Sequence, residues 1–267
     1  MIKNIIQKWY SALGFDRRLD SAFLALLEGE LPTAELTAHN ADLSGGEGEK
    51  TALILLYLLE RMQDEYTARG IDSSVFDRLV SQIRTRIEGT YLEKGNFLVG
   101  DVSWFRLYLS CERFRIGRFY FDLIPSPADV PCKGLKKGDS IVALHVPAGE
   151  PLEYGYCVRS IEEAKSFIAR HFPEYKYRYI SCYSWLLDNS IADLVGTGSN
   201  ILRFASLFEI VARHESDNII RFVFQNGATR EQLPDITPVG RFQTQLREEA
   251  MAGRIFYDCR GLIDITK

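Results

Sequence analysis

A strand, a helix and a second strand are predicted between residues 141 and 183, IVALHVPAGEPLEYGYCVRSIEEAKSFIARHFPEYKYRYISCY. Ile141 to Val146 is a short apolar run, and Tyr177 to Tyr183 alternates, which places its tyrosines on one face of a strand. Between these runs, Ser160 and Glu163 have the spacing of a capping box, so a helix is expected to begin at Ser160. This segment predicts a mixed α and β domain.

Further elements extend this domain on both sides. Arg118 to Ile124 alternates and predicts a strand, and Val102 to Arg115 before it predicts a helix. Downstream, the patterns predict a short helix over Leu186 to Val195, a strand over Leu202 to Val211 and another over Ile219 to Phe224. A helix from Phe242 to Met251 and a last strand near Ile255 follow.

The N-terminal part is predicted to be helical. Apolar positions from Phe76 to Tyr91 follow i, i+3, i+4 spacing behind a cap at Asp72 or Ser73. Ala52 to Met62 is apolar nearly all round and predicts the central helix of a small bundle. Shorter helices fit residues 2–13 and 19–27. We therefore expect a helical domain over residues 1–100 and a mixed domain over 101–267.

Composition restricts the classes of function. The chain has 267 residues, of which 46% are hydrophobic, and a formal net charge of −4. Residues 1–100 carry 11 basic and 15 acidic side chains, whereas residues 101–267 carry 21 of each. This balance argues against nucleic-acid and polybasic membrane partners. No apolar run approaches the roughly 20 residues of a membrane span, and no signal-peptide pattern is present.

The five cysteines are scattered and include no CxxC pair. This arrangement predicts neither a disulfide framework nor a metal site, and it fits a protein of the reducing cytoplasm.

Two stretches resemble ligand-binding motifs without their context. Leu43 to Glu47, LSGGE, with Lys50 and Thr51 is a near miss for a phosphate-binding loop, but no strand precedes it, so a loop ahead of a helix is favoured. Glu112 to Phe121 interleaves arginines with aromatic residues. A half-buried strand is favoured over an RNA-binding surface, although Arg113, Arg115 and Arg118 would form a phosphate-binding patch if they converged on a cleft.

Four segments in this order resemble the C-terminal domain of a bacterial family of GNAT-like acyltransferases: Trp104 to Phe121 (WFRLYLSCERFRIGRFYF), His145 to Leu152 (HVPAGEPL), Tyr183 to Asp188 (YSWLLD) and Ser199 to Phe204 (SNILRF). That family also has an N-terminal helical domain. The resemblance implies an α+β protein, with an N-terminal helical domain followed by a mixed, largely antiparallel GNAT-like α/β sheet domain.

The resemblance also implies a site for acyl-CoA or acetyl-CoA as co-substrate. In a GNAT layout, the pyrophosphate lies at a helix N-terminus after a central strand, where free backbone N–H groups receive it. Gly149, Arg159 and Ser160 are the corresponding candidates for CoA binding. The usual glycine-rich loop of GNAT proteins is absent, and Glu162 and Glu163 are expected in the first helical turn, so Arg159 or another basic side chain is expected to bind the phosphates.

Catalysis in a GNAT-like fold needs a base for the amine and an acid for the departing thiolate. His145 and Tyr183 end two predicted strands and are the catalytic candidates, with Glu150 nearby in sequence. The alternative for His145 is a structural histidine bound to a backbone carbonyl. The family often has a histidine where Tyr183 stands here.

Three residues next to Tyr183 are less favoured as functional residues. Ser184 lacks the elbow motif of hydrolases, Cys182 is expected to be a buried strand residue, and Trp185 is expected to be a core anchor.

The predicted function is transfer of an acyl group from acyl-CoA to a small-molecule amine. A cationic acceptor is favoured, because the acidic excess lies in the helical domain. The alternative is a non-catalytic ligand-binding or interaction protein that keeps the fold. The sequence does not specify an oligomeric state.

Overall fold

The computed structural model describes residues 2–29, 31, 50–97, 107–108, 110–224 and 227–266. The chain forms two compact units, Met1–Arg115 and Ile116–Lys267. Residue 100, where the sequence predicts a domain boundary, and the LSGGE stretch at residues 43–47 lie outside the described ranges.

The first unit is largely helical. Its described residues include the helices α1 (Ile2–Leu13), α2 (Asp20–Glu28), α3 (Lys50–Ala68) and α4 (Ser73–Lys94). The Asp72 carboxylate accepts a hydrogen bond from the Ser74 N–H at 2.8 Å and caps α4, as predicted. The first turns of α3 are buried all round, from Thr51 to Leu56, which confirms its central position in the bundle.

Within the described residues, six strands form one mixed sheet in the order β1-β2-β3-β4-β6-β5. They are β1 (Arg113–Ile116), β2 (Phe119–Pro125), β3 (Ser140–His145), β4 (Tyr179–Ser184), β5 (Glu209–Glu215) and β6 (Tyr257–Asp264). β3 and β4 are parallel, whereas the pairs β2–β3, β4–β6 and β5–β6 are antiparallel. The predicted fold class, an α+β protein with a largely antiparallel sheet, is confirmed.

In the part of the chain that the structure describes, five α-helices accompany the sheet: α5 (Tyr154–His171), α6 (Ala192–Val195), α7 (Asn200–Ala205), α8 (Asn218–Val223) and α9 (Gly240–Met251). The helix predicted over residues 186–195 consists of two 3₁₀ turns, Trp185–Leu187 and Asn189–Ile191, followed by α6. The helix predicted from Phe242 to Met251 is confirmed as α9.

Two predicted strands are helical in whole or in part, and one predicted helix ends early. Residues 202–205 belong to helix α7 rather than to a strand, and residues 219–223 form helix α8. Short apolar runs fit a buried helix as well as a strand, which explains both errors. The helix predicted up to Arg115 ends earlier: Cys111 has a φ of 55°, and strand β1 begins at Arg113.

Helix α5 begins at Tyr154, six residues before the predicted start at Ser160. The Glu153 side chain caps it by accepting from the Gly155 N–H. Ser160 is therefore interior to the helix and buried, where it donates to the Ile116 carbonyl and accepts from the Arg118 N–H at 3.0 Å. Its hydroxyl ties α5 to the turn between β1 and β2.

The two faces of the sheet differ in chemistry. Strand register places Asp122, His145, Ser181, Tyr183, His214, Asp258 and Arg260 on one face, which we call the polar face. The opposite face is apolar and packs against helices: Phe119 contacts Phe204 of α7 with ring centroids 5.5 Å apart, and Phe208 packs over Gly261. At the far end of the polar face, Val130 and Leu135 pack against the sheet.

Candidate functional site

The parallel strands β3 and β4 end beside each other. Their pairing runs from Val142 with Ile180 to Leu144 with Cys182, and His145 and Tyr183 are the next residues on the two strands. From there β4 remains paired with β6 up to Ser184, whereas β3 leaves the sheet in the loop that leads to α5. The two strands therefore diverge at His145 and Tyr183, the two residues that the sequence analysis names as catalytic candidates.

His145 has a buried acidic partner on the neighbouring strand β2. Its Nε2 lies 2.7 Å from Oδ2 of Asp122, whose side chain is 1% exposed, while the His145 side chain is 38% exposed. The alternation from Arg118 to Ile124 predicts the strand that contains Asp122, but it does not identify Asp122 as a partner of His145. The only signal was an acidic residue within an aromatic strand, FYFDLI.

Tyr183 presents its side chain on the same face and is 54% exposed. Partial burial, followed by the charges of Asp258 and Cys259, raises the pKa of its phenol. The His214 ring lies near it, with centroids 6.2 Å apart. A tyrosine phenol, with an ordinary pKa of about 10, is protonated at neutral pH, and the raised pKa preserves that state.

The loop after β3 is held by Arg118. The buried guanidinium donates to the carbonyls of Pro147, Glu150 and Pro151 at 2.8, 2.6 and 3.1 Å. Arg113 is also buried, at 2% exposed. These two arginines therefore do not form the exposed phosphate-binding patch that the sequence allows. Arg118 instead fixes the path of the loop that contains Gly149 and Glu150.

Two arginines stack on the tyrosines of the first turn of α5. The Arg159 guanidinium carbon lies 4.5 Å from the Tyr156 ring centroid, and that of Arg203 lies 5.0 Å from the Tyr154 ring centroid. Within the described residues, neither arginine forms an ion pair with a carboxylate. Both cations thus flank a helix N-terminus, where backbone N–H groups favour an anion.

Glu162 and Glu163 do not oppose an anion in the way the sequence predicts. Because α5 begins at Tyr154, both lie in its third turn rather than its first, and its first turn contains no acidic residue. Glu162 pairs with Lys165 at 2.9 Å. The cap, Glu153, accepts one N–H at a long 3.3 Å, and Glu150 and Glu163 line the pocket that also contains Arg159.

A pocket of about 590 Å³ lies beyond the diverging ends of β3 and β4. We call it the inter-loop pocket, because Glu150 and Leu152 line it from the loop after β3 and Leu186 lines it from the turn after β4. Its other lining residues come from α6, α7 and α9 and the connections before them: Asp193, Leu194, Val195, Gly196, Ser199, Asn200, Ile201, Arg241 and Phe242. Its size and largely apolar lining are typical of small-ligand sites.

A second pocket of about 330 Å³ lies on the other side of the loop after β3. Its lining includes Arg118, Pro151, Tyr156 and Arg159, and Glu150 lines both pockets. The structure thus brings Glu150 and Arg159 to one region. Gly149 lies in the same loop with a φ of 91°, whereas the hydroxyl of Ser160 is already engaged by Ile116 and Arg118.

Covalent nucleophiles are not favoured near the opening. Burial raises the pKa of Cys182 to about 12 and that of Cys259 to about 11, so both remain thiols at neutral pH. The Ser184 hydroxyl accepts from the Leu186 N–H at 3.1 Å and caps a 3₁₀ turn. Trp185 packs against a buried cluster that includes Ile191, as expected for a core anchor.

Two further absences concern only the described residues. No group of three or more His, Cys, Asp or Glu side chains among them is placed to hold a metal ion. None of their helices has the length and apolar character to cross a membrane.

The helical unit followed by a mixed sheet, with one parallel pair that diverges at its end, defines the class of GNAT-like acyltransferase folds. Residues 113–263 match the family of the GNAT-like C-terminal domain, and the chain belongs to that family. The resemblance seen in the sequence is thereby confirmed. No curated protein matches the chain.

Solved structures of acyltransferases share the fold. One in complex with decanoyl-CoA has a TM-score of 0.69 and 22% identity, over 86% of this chain and 74% of that chain. One in complex with decanoyl-CoA and teicoplanin has a TM-score of 0.67 and 18% identity, over 97% of this chain and 99% of that chain. An acyltransferase mutant with octanoyl-CoA has a TM-score of 0.67 and 21% identity, over 80% of this chain and 66% of that chain. At these identities the likeness establishes the fold.

Proposed function

We propose that this protein transfers an acyl group from acyl-CoA directly to the amine of a small molecule. The observation that carries the proposal is the divergence of β3 and β4 at His145 and Tyr183, with the inter-loop pocket beyond it. The loop after His145 lines that pocket with Glu150 and Leu152, and the turn after Tyr183 lines it with Leu186, which supports a ligand site close along the chain to both proposed proton-transfer groups. Acyl-CoA complexes of proteins with this fold support the choice of donor.

Acyl-CoA is assigned to the region between α5 and the inter-loop pocket. The diphosphate lies at the first turn of α5, where it meets backbone N–H groups and the cations of Arg159 and Arg203. The apolar part of the donor enters the inter-loop pocket, and the thioester reaches the opening of the sheet. Gly149 contributes through the path of its loop, and Ser160 through the anchoring of α5 rather than through direct contact.

His145 and Tyr183 carry the proton transfers. The His145 imidazole removes a proton from the amine as its nitrogen attacks the thioester carbonyl, and Tyr183 protonates the CoA thiolate as the C–S bond breaks. The products are an amide and CoA with a free thiol. Glu150, which lines the inter-loop pocket, is a second candidate for proton transfer.

Direct transfer is preferred to an acyl-enzyme intermediate. The buried cysteines nearest the opening are held as thiols, and Ser184 is engaged as a cap. A covalent route would need an activated nucleophile, that is, a hydroxyl or thiol with a base beside it. Single-step transfer needs only a base and an acid, the roles proposed here for His145 and Tyr183.

The acceptor is assigned to the polar face, as a small amine rather than a nucleic acid. A cationic amine is favoured by the acidic excess of residues 1–100. All five cysteines are free, which fits a reducing compartment, and the protein is assigned to the cytoplasm.

Calorimetry with acetyl-, octanoyl- and decanoyl-CoA tests donor binding, and mass spectrometry of a panel of amines incubated with the same donors tests transfer. The proposal expects saturable binding of at least one acyl-CoA, with release of one CoA for each amide formed. Failure of all three donors to bind would overturn it. Binding without transfer to any amine would favour the alternative, a non-catalytic ligand-binding protein.

A further inference from the structure

Asp122 and His145 form a hydrogen-bonded pair across two neighbouring strands of the polar face. Asp122 lies opposite Ala143, and His145 lies opposite Tyr120, so the two side chains are diagonal neighbours on one face. Their 2.7 Å contact joins Nε2 of the imidazole to Oδ2 of the carboxylate. Asp122 is 1% exposed, so the carboxylate is fixed inside the protein while the ring of His145 reaches solvent.

The chemistry of the two groups decides where the proton lies. An ionised carboxylate only accepts hydrogen bonds, so the nitrogen facing Asp122 must be the donor. The neutral imidazole therefore carries its proton on Nε2, and its lone pair is on Nδ1. A buried carboxylate is costly unless it is hydrogen-bonded, which gives the pair a reason to persist.

We propose that Asp122 is a positioning residue that holds His145 in the Nε2–H tautomer, so that Nδ1 is the atom that accepts the proton of the acceptor amine. This inference rests on the proposed function for the role of His145. In the reaction, the proton moves from the amine nitrogen to Nδ1 while the new C–N bond forms, and the imidazolium that results is stabilised by the carboxylate at Nε2. Asp122 touches neither substrate and acts through the ring.

Multiple-bond ¹H–¹⁵N NMR of the intact protein with ¹⁵N-labelled histidine tests the tautomer without any assay of activity. His145 is assigned by loss of its signals in H145A. The ring is expected to show a protonated Nε2 and an unprotonated Nδ1 once it is neutral, and a protonated Nδ1 with a bare Nε2 would overturn the proposal. This result is independent of whether the protein transfers acyl groups.

Kinetics of Asp122→Asn test the role in the reaction. We expect kcat to fall by about tenfold or more with little change in the KM for acyl-CoA, because donor binding is untouched while the base loses its orientation. In an H145A background the same change should have no further effect. A similar loss in that background, or an unchanged kcat in D122N alone, would contradict a role exerted through His145.

Asp264→Asn is the matched control, since Asp264 lies at the far end of β6 and pairs with Arg178 at 2.8 Å. It should leave kcat unchanged. If D122N fails to fold, the NMR measurement on the wild-type protein still decides the tautomer. If no acyl transfer is detected with any donor, the proposed function fails, whereas the tautomer assignment is decided separately.

Discussion

The Ser160 hydroxyl lies so close to Gly117 that a Cβ atom at that glycine would be 2.8 Å from Oγ. Gly117 also has a φ of 55°, and its neighbour Arg118 donates its N–H to the same hydroxyl. The Ser160 hydroxyl thus joins helix α5 to the turn between β1 and β2. Because α5 contributes Tyr156 and Arg159, the contact also positions the candidate CoA site.

Substitution of Gly117 by Ala should therefore destabilise the second unit. The added methyl group meets Ser160 and forces an unfavourable positive φ, and we expect a loss of about 2 kcal/mol in the free energy of unfolding. Gly134→Ala is the control, since Gly134 has a φ of 65° but no atom within 4 Å of the new Cβ. Urea unfolding should show a smaller loss for G134A, and equal losses would refute the packing argument.

The arginines that flank α5 should act on the diphosphate of the donor. R159Q and R203Q are each expected to weaken octanoyl-CoA binding by about threefold to tenfold, because each removes a cation that forms no ion pair within the described residues. Calorimetry with an acyl-pantetheine thioester, which lacks the diphosphate, provides the control. The two variants should bind that ligand like the wild type, and an equal loss for both ligands would show that they act through the fold.

The inter-loop pocket should close when its apolar lining is enlarged. Ile201→Trp places a larger side chain into the pocket, and we expect octanoyl-CoA binding to weaken by at least about tenfold. Val239→Trp is the control, because Val239 is 79% exposed and lies outside the lining. Unchanged binding in I201W, with an unchanged melting temperature, would place the donor elsewhere.

The pair of Asp193 and Arg254 should make stability depend on acid pH. Arg254 contacts both carboxylate oxygens, at 2.7 and 2.8 Å, and lowers the pKa of Asp193 to about 2. The pair therefore stabilises the protein above the ordinary aspartate pKa of about 3.9, and this contribution disappears as the pH falls through about 2. D193N should cost about 0.5 kcal/mol at pH 7 and nothing below pH 2.

Acid titration of unfolding, followed by circular dichroism, measures that difference. The double variant D193N/R254Q should be no less stable than R254Q alone, because the carboxylate acts through the arginine. If the difference in unfolding free energy between D193N and the wild type persists at the lowest pH, the substitution acts through something other than charge.

Local sequence patterns correctly predicted those helices and strands whose bounds do not depend on tertiary packing. Helix α1 has the predicted bounds Ile2–Leu13, and the alternation around Phe121 predicts β2. The start of α5 was wrong because a good capping box at Ser160 competes with a less obvious cap at Glu153, and only the packing of Ser160 against Gly117 decides between them. Helix α8 was mistaken for a strand because its short apolar run has no diagnostic period.

The candidate site likewise contains residues that local sequence patterns could predict and residues that they could not. His145 and Tyr183 could be predicted as neighbours, because two strands with a helix between them are expected to be parallel and adjacent. Asp122 could not, since its contact with His145 depends on the register between β2 and β3. Arg203 was also missed, because its place beside Tyr154 follows from the packing of α7 on α5, which no local pattern encodes.

The most direct test of the account is the rate of amide formation from octanoyl- or decanoyl-CoA in H145A, compared with wild type and with H171A as a histidine control at the end of α5. Calorimetry establishes in parallel that each variant binds the donor. The account predicts that H145A binds acyl-CoA normally but transfers the acyl group about 100-fold more slowly, while H171A matches the wild type. A wild-type rate in H145A would contradict it.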